Sequence, residues 1–384
     1  MPATTPGKSP YYGEGHEAFR ASMRRFVERE IAPFVDAWDE AEGFPRELYR
    51  KAAAVGLLGL GFPEEFGGVP GDAFYSIIAT QELARAGSGG VSASLMSHTI
   101  GAPPIARVGS EELKWRVLPP VLAGDKISAL AITEPNGGSD VASIRTKAER
   151  VGEHFIVNGA KMFITSGLRA DFYTVAVRTG GPGRKGISLL LIERGTPGFS
   201  QTPLKKMGWW ASDTAALHFD NCRVPAANLI GEENAGFAAI MFNFNRERLG
   251  MAAGANGFSM VCYDEAVAWA RERSVFAGRL IDQQVIRHKL VDMAMRINAT
   301  QAYLEALAHR VESGDNPIAD IAMLKNQATQ TMAFCASEAV QIHGGTGFMR
   351  GTKVERIYRE VKVNAIGGGA EEIMKELAAR QLGL

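Results

Sequence analysis

The sequence has few cysteines, no excess charge of either sign and no long apolar run. Its three cysteines are spread over 384 residues without a CxxC pair. This argues against a disulfide scaffold or a structural zinc site and fits a reducing compartment. Lysine plus arginine and aspartate plus glutamate each number 42, so the basic excess of a nucleic-acid-binding protein is missing. No apolar run reaches roughly 18 residues, so no membrane span is predicted.

The first residues, MPATTPGKSPYYGEG, lack the features of a targeting segment. They do not show the basic-then-apolar order of a secretory signal, and they are not arginine-rich like a transit peptide. The composition therefore predicts an intracellular protein, cytoplasmic in a bacterium or in the mitochondrial matrix of a eukaryote. A chain of 384 residues is long enough for two or three cooperating substructures.

Three regions of the chain differ in hydrophobic period. Residues 1–125 and 236–384 carry apolar positions three or four residues apart, which indicates amphipathic helices. Residues 126–235 carry short β-branched and aromatic runs instead, and Asn158-Gly159 between two such runs predicts a hairpin turn. Helices, then strands, then helices argue against a doubly wound sheet. We expect an α+β multidomain fold with an N-terminal α-helical domain, a middle antiparallel β domain and a C-terminal helical domain.

Three stretches rich in glycine and hydroxyl groups are candidates for a ligand site. They are ITEPNGGSDVAS at 132–143, KMFITSG at 161–167 and QIHGGTGF at 341–348. Glycine lets the main chain approach a flat or phosphorylated ligand without a Cβ in the way. Taken one at a time, each stretch also fits an ordinary surface loop, an alternating strand or a glycine-rich helix end.

Together and in this order, the three stretches resemble the signatures of the acyl-CoA dehydrogenase family. The resemblance extends over roughly residues 15 to 384. It implies a four-helix bundle for the C-terminal domain and FAD as the cofactor. It also implies α,β-dehydrogenation of an acyl-CoA thioester to the 2-enoyl-CoA, with electrons passed to an electron-transfer flavoprotein. A homo-oligomer, by family expectation a homotetramer, is implied as well.

The resemblance also assigns roles around the cofactor. It implies that Thr133 bonds the pyrimidine end of the flavin, that Phe163 stacks on the ring, and that Thr165 lies near N5, which receives the hydride. Ser139 is expected to reach the pantetheine part of the substrate, and Arg273 to meet the pyrophosphate of a neighbouring subunit's FAD, where a guanidinium suits a phosphate well. The residues expected around the FAD are Leu130, Ile132, Thr133, Gly138, Ser139, Phe163, Thr165, Arg273, Phe276, Gln284, Gln341, Gly344, Gly345, Ala370 and Glu372.

Three positions qualify this pattern. Ala370 stands where the family usually has a threonine that bonds the cofactor, so one FAD contact is expected to be missing. Gly351 stands where an acidic residue is usual. His343 lies within a glycine-rich motif, and the motif explains it better as a packing residue than as a catalyst.

The catalytic base is the remaining requirement. Dehydrogenation of a thioester needs a carboxylate to take the α-proton and donors to stabilise the developing oxyanion. The C-terminal position where many family members carry the glutamate is Gly368 here. A subset, which includes isovaleryl-CoA and long-chain acyl-CoA dehydrogenases, places the glutamate on a long helix before an arginine, and Glu247-Arg248 matches that pattern. The resemblance then implies that Gly368 leaves room for Glu247 and donates its N–H to the thioester oxygen.

Alternatives to this interpretation stay open from the sequence. Glu247 in an arginine-rich turn could be a surface glutamate in weak salt bridges. If Glu247 is the base, Asn245 and Arg248 become candidate ligands of the substrate's CoA portion. An acyl-CoA oxidase of similar fold that reduces O2, or an inactive acyl-CoA-binding relative, would carry similar motifs. The acyl chain is not defined, because relatives with a helix-borne glutamate act on both branched short chains and long chains.

Overall fold

The computed structural model describes residues 9–384, except for the side chains of Phe242, Asn243 and Asn245. The predicted CoA contact of Asn245 therefore lies outside the described residues. Helices occupy the first part of the described chain, strands the middle and helices the last part, which is the predicted α+β organisation. Across the described range, no helix combines the length and apolar character needed to cross a membrane.

Short helices with polar caps build the first region. They are α1 (Glu14–Glu30), α2 (Val35–Glu40), α3 (Glu47–Ala54), α4 (Ala73–Ala84), α5 (Gly89–Leu95), α6 (His98–Gly101), α7 (Pro103–Val108) and α8 (Glu111–Leu122). Asp72 begins α4 by accepting hydrogen bonds from two backbone N–H groups, and Ser88 and Ser110 each accept one at the start of α5 and α8. Such caps satisfy N–H groups that have no partner within the helix.

A single sheet forms the middle region. Its strands are β1 (Ser128–Ala131), β2 (Lys147–Val151), β3 (His154–Thr165), β4 (Phe172–Arg178), β5 (Ile187–Glu193), β6 (Phe199–Pro203), β7 (Thr214–Pro225) and β8 (Leu229–Ile230). The strands follow the order β6-β7-β3-β2-β4-β5-β8, and β1 pairs with β4. Most pairs are antiparallel, as predicted, whereas β1 and β2 each run parallel to β4.

The predicted hairpin turn at Asn158-Gly159 is wrong. Strand β3 continues through both residues, and the chain turns earlier, between Val151 and His154. The register between β3 and β7 shifts next to Gly159, so the Asn-Gly pair marks a β-bulge. A Cβ on Gly159 would lie only 2.7 Å from the Cα of Thr146. The close approach of the backbone at Thr146 therefore explains why residue 159 is a glycine better than a turn does.

Long helices form the last region. They are α9 (Gly236–Glu272), α10 (Gln284–Glu312), α11 (Ile318–His343), α12 (Gly345–Phe348), α13 (Lys353–Ile366) and α14 (Glu371–Leu382), with a small hairpin of β9 (Ser274–Val275) and β10 (Gly278–Arg279) after α9. Helices α9, α10, α11 and α13 share one apolar core. Helix α9 also packs on α4, where a Cβ on Gly257 would lie 2.9 Å from the Cβ of Ala84. The small residues of α9 thus join the first region to the last.

Candidate active site

Helix α9 carries Glu247 toward the loop between α13 and α14. A Cβ built on Gly368 in that loop would lie 3.9 Å from Oε1 of Glu247. The Oε2 atom of Glu247 is buried and accepts no hydrogen bond from any described residue. Burial raises the pKa of Glu247 to about 7, against the opposing charges of Arg248 and Lys325. The carboxylate is therefore desolvated, without a hydrogen bond on Oε2 from the described side chains, and poised to exchange a proton near neutral pH.

Two cations hold the loop beside this carboxylate. Arg248 donates from Nε to the carbonyl of Gly368 at 3.1 Å, and its guanidinium lies over the ring of Phe244, 5.4 Å from the ring centroid. Lys325 on α11 donates to the carbonyls of Ala365 and Gly369 at 3.1 and 2.8 Å. The loop that contains Gly368 is thus fixed by side chains of two different helices. Sequence reasoning did not identify Lys325.

The volume next to Gly368 is filled by Met251. The sulfur of Met251 lies 2.4 Å from the position that a Cβ of residue 368 would take. Gly368 also has φ +63°, a left-handed conformation that favours glycine. Because residue 368 has no side chain, it does not block the carboxylate of Glu247. The side chain of Met251 fills the neighbouring space. Met251 is a second residue that the sequence did not single out.

The predicted flavin-contacting residues lie at the ends of β1 and β3. Phe163 sits where the register of β3 against β7 shifts, has φ +62°, and is 66% exposed. Positive φ at an aromatic residue is strained, and strain of this kind concentrates at functional sites. The N–H of Met162 donates to the carbonyl of Thr133 at 2.8 Å, so the two motifs are adjacent. Thr165 is half-buried at the end of β3.

The neighbouring predicted contacts differ in exposure. Leu130 and Ile132 pack against the apolar core beneath the sheet, where Ile132 is buried. Gly138 and Ser139 lie exposed on the loop that follows, beyond a bridge between Glu134 and Gly137. This loop is free to meet a ligand from the solvent side.

A buried ion pair underlies both motifs and was missed by sequence reasoning. Lys161 is fully buried and donates to Glu134 at 2.8 Å and to the carbonyl of Ile132 at 2.9 Å. Glu134 also accepts hydrogen bonds from the N–H groups of Arg145 and Thr146. Burial would raise the pKa of Glu134, but the charge of Lys161 and these hydrogen bonds hold it below its usual value. The pair locks the Thr133 loop onto the strand that carries Phe163.

A second group of predicted cofactor residues meets at a separate groove. A cavity of about 580 Å³ is lined by Arg273 after α9 and by Gly344 and Gly345 after α11. Its wall includes His343, whose ring stacks on Trp269 at 5.2 Å and whose Nδ1 lies 2.8 Å from the carbonyl of Ala339. These contacts agree with a packing role for His343. An arginine beside glycine-rich main chain is the donor set that a phosphate or pyrophosphate requires.

The remaining predicted residues lie at the edges of these two areas. Phe276 is fully exposed at the tip of the β9–β10 hairpin, with φ +51°. Gln284 begins α10 and is exposed, as is Gln341 near the end of α11. Ala370 is the N-cap of α14 without a side-chain cap, and Glu372 lies exposed in its first turn.

Gly351 lies apart from both areas, in the turn before α13. It has φ +93°. A left-handed backbone accounts for glycine at this position, where an acidic side chain would be strained.

The observed surfaces suit an FAD in two respects. An exposed aromatic held in a strained backbone offers a stacking face for the flavin ring. The groove with Arg273 and two glycines offers a guanidinium and open main chain for the dinucleotide phosphates. The two features come from separate parts of the sequence, Phe163 from the KMFITSG stretch and the two glycines from the QIHGGTGF stretch.

Comparison with known proteins gives one consistent family. Three family models match: acyl-CoA dehydrogenase N-terminal domain over residues 13–125, middle domain over 129–222 and C-terminal domain over 234–383. The "Acyl-CoA dehydrogenase" of Bacillus subtilis (strain 168) is 38% identical over 366 residues, which are 94% of this chain and 96% of that protein. The mitochondrial "Long-chain specific acyl-CoA dehydrogenase" of Rattus norvegicus is 36% identical over 375 residues, 97% of this chain and 87% of that protein. The crystal structure of acyl-CoA dehydrogenase from Geobacillus kaustophilus matches with a TM-score of 0.94 at 36% identity, over 98% of this chain and 100% of that one.

Proposed function

We propose that Glu247 is the catalytic base of this chain, which belongs to the acyl-CoA dehydrogenase family and is therefore an FAD-dependent oxidoreductase acting on acyl-CoA. The observation that carries the proposal is the buried Oε2 of Glu247, which accepts no hydrogen bond from a described residue. The other carboxylate oxygen lies 3.9 Å from where a side chain at Gly368 would begin. A carboxylate with a pKa of about 7 can take a proton at neutral pH.

The surrounding residues prepare the substrate for proton loss. In the proposed reaction, the thioester enters between Glu247 and the Gly368 loop, and Glu247 removes the α-proton. The Gly368 N–H donates to the thioester oxygen, where negative charge develops. Burial of the site excludes water and strengthens the carboxylate as a base. We assign Ser139, Asn245 and Arg248 to the CoA portion, of which Arg248 also anchors the loop through the Gly368 carbonyl.

Cofactor binding is assigned to two sets of residues. Thr133, Phe163 and Thr165 would hold the flavin ring, and Arg273 with Gly344 and Gly345 would hold the phosphates and adenosine. When bound, FAD supplies the acceptor for the hydride from the β-carbon. The remaining predicted contacts, Leu130, Ile132, Gly138, Phe276, Gln284, Gln341, Ala370 and Glu372, keep their assigned roles within this proposal.

The physiological setting is part of the proposal. We assign an electron-transfer flavoprotein as the electron acceptor and a homo-oligomer, by family expectation a homotetramer, as the working form. The domains are assigned to residues 1–125, 126–235 and 236–384, and a cytoplasmic location is proposed for a bacterial source. Peroxide formed in step with product, in air and without an added acceptor, would favour the oxidase alternative.

Anaerobic flavin bleaching tests the proposal directly. Straight and branched acyl-CoA thioesters of increasing chain length are added to the FAD-loaded protein, and the loss of visible flavin absorbance is followed. We expect bleaching with at least one thioester and a rate lower by roughly 100- to 10,000-fold in Glu247→Gln. Full bleaching in Glu247→Gln would reject Glu247 as the base, and no bleaching with any thioester would favour an inactive binder.

A further inference from the structure

Lys325 is a fully buried lysine in the last region, and its role is not explained by packing. It lies on α11, and its ammonium donates to two backbone carbonyls, those of Ala365 and Gly369. Taking an ammonium out of water is costly, and an apolar side chain of similar length would fill the same volume at lower cost. A lysine at such a position indicates that the charge and the directed donors serve the neighbouring groups.

The two carbonyls bracket the part of the loop that faces Glu247. Ala365 lies before Gly368 and Gly369 follows it, so Lys325 holds the loop on both sides of Gly368. Gly369 has φ +112° and Gly368 has φ +63°, and neither glycine restricts its own backbone. External anchors are therefore needed to fix the direction of the Gly368 N–H. Arg248 supplies the third anchor at the Gly368 carbonyl.

The charge of Lys325 also acts on the carboxylate. Lys325 and Arg248 both lower the pKa of Glu247, while burial raises it to about 7. Burial lowers the pKa of Lys325 to about 8, with Glu371 of α14 and Glu247 opposing and Arg248 adding to the effect. Lys325 thus faces charges from α9 and α14 as well as the loop, and its pKa lies above that of Glu247, so it is mainly cationic at the pH where Glu247 is half-ionised.

We propose that Lys325 is a positioning residue for the reaction, fixing the loop that presents the Gly368 N–H and placing a cation near Glu247. The inference rests on the proposed function of Glu247. It assigns Lys325 no contact with substrate or cofactor.

Three substitutions separate charge from hydrogen bonding. Lys325→Met removes both, Lys325→Gln keeps a donor without the charge, and Lys325→Arg keeps the charge. Arg356→Met is the matched control, because Arg356 is also buried, pairs with Asp36 and donates to a backbone carbonyl at 3.2 Å, but belongs to α13 and does not contact the Gly368 loop. Each variant is purified with FAD, and kcat and KM are measured across pH with a thioester that bleaches the native flavin.

The expected result is a change in pH dependence. Loss of an opposing charge raises the pKa of a carboxylate, so in Lys325→Met and Lys325→Gln the acid limb of kcat/KM moves up by about one pH unit. That shift lowers kcat/KM about tenfold below the limb. In Lys325→Met, kcat falls as well at high pH while KM stays near the native value, because the loop is no longer anchored. Lys325→Arg restores the native limb.

Other outcomes overturn the inference separately from the proposed function. If Lys325→Met and Arg356→Met both lose thermal stability and both keep the native acid limb, Lys325 is only structural. If Lys325→Met does not fold with FAD, the limb in Lys325→Gln decides the question in the same way. Retention of full activity in Glu247→Gln removes the base itself, whatever the lysine variants show.

Discussion

Replacing Glu247 by glutamine is expected to stabilise the protein while it slows turnover by roughly 100- to 10,000-fold. In the folded chain burial raises the pKa of Glu247 from 4.5 to about 7. A shift of one unit corresponds to about 1.4 kcal/mol, so keeping Glu247 ionised in the folded state costs about 3 kcal/mol. Glutamine has nearly the same shape and no charge, and it removes this cost.

The sign of the pH dependence follows from proton binding. Between the unfolded pKa of 4.5 and the folded pKa of about 7, the folded state holds a proton on Glu247 that the unfolded state has lost. The contribution of Glu247 to stability therefore falls as pH rises through this window and stays low above it. The advantage of Glu247→Gln over the native protein should be absent near pH 4.5 and reach about 3 kcal/mol above pH 7.

Denaturant unfolding at several pH values measures this difference. FAD is kept saturating and the protein concentration constant, because ligand and subunit binding both shift apparent stability. Glu360→Gln is the matched control, since burial also raises the pKa of Glu360 to about 7. Glu360 accepts hydrogen bonds from the N–H groups of Gly89 and Trp209. Its replacement should therefore show a similar gain as pH rises, offset by the loss of one of these hydrogen bonds because the amide nitrogen of glutamine cannot accept, and should leave turnover in place.

One result would refute this reasoning. If Glu247→Gln and the native protein keep the same stability difference from pH 5 to pH 8, Glu247 is not desolvated in the folded state. The carboxylate would then be solvated and hydrogen-bonded, and its role as a base tuned by burial would lose its physical basis.

Three further substitutions test the loop, the last helix and the groove. Gly368→Ala is expected to lower the unfolding midpoint and kcat, because φ is +63° and Met251 lies 2.4 Å from the new Cβ. The strain should cost about 1–3 kcal/mol of stability. A variant with native stability and native kcat would show that the loop adjusts freely. Ala370→Thr is expected to add about 1 kcal/mol to the free energy of unfolding, because no side chain caps the N-terminus of α14. If the free energy of unfolding does not rise, the threonine hydroxyl does not cap this helix. Arg273→Ala is expected to lose FAD on gel filtration, with little recovery in Arg273→Lys because an ammonium cannot bind a phosphate bidentately. Unchanged flavin content in Arg273→Ala would remove Arg273 from the proposed phosphate site.

The sequence predicted the order of helices and strands because hydrophobic period changes sharply between the three regions. The prediction was wrong at Asn158-Gly159, because the backbone at Thr146, just before β2, passes too close to Gly159 for a side chain there. The sequence of β3 alone does not show that another segment of the same chain lies at this distance. Backbone strain at Phe163 was hidden for the same reason, since the register shift depends on how β3 pairs with β7.

The site residues that the sequence did not predict carry charged side chains, which usually lie at the protein surface. Lysine and glutamate are rarely fully buried, so Lys161, Glu134 and Lys325 were not considered as parts of the interior. A signal was present for Lys325. It follows Ile321 by four residues and precedes Ala328 by three, and both of those are buried on α11. Helical spacing thus placed a lysine on an apolar face, which calls for a specific partner.

The position of the carboxylate is tied to Met251 as well as to Gly368. Glu247 and Met251 are four residues apart on α9, so both side chains face the same loop. Met251 occupies the volume that a side chain at residue 368 would need, and the left-handed backbone at Gly368 resists any side chain there. A carboxylate at residue 368 would therefore require a smaller residue at 251 and a different loop conformation. Exchanging Glu247 and Gly368 alone meets neither requirement, so the helix position of the base depends on the packing around it.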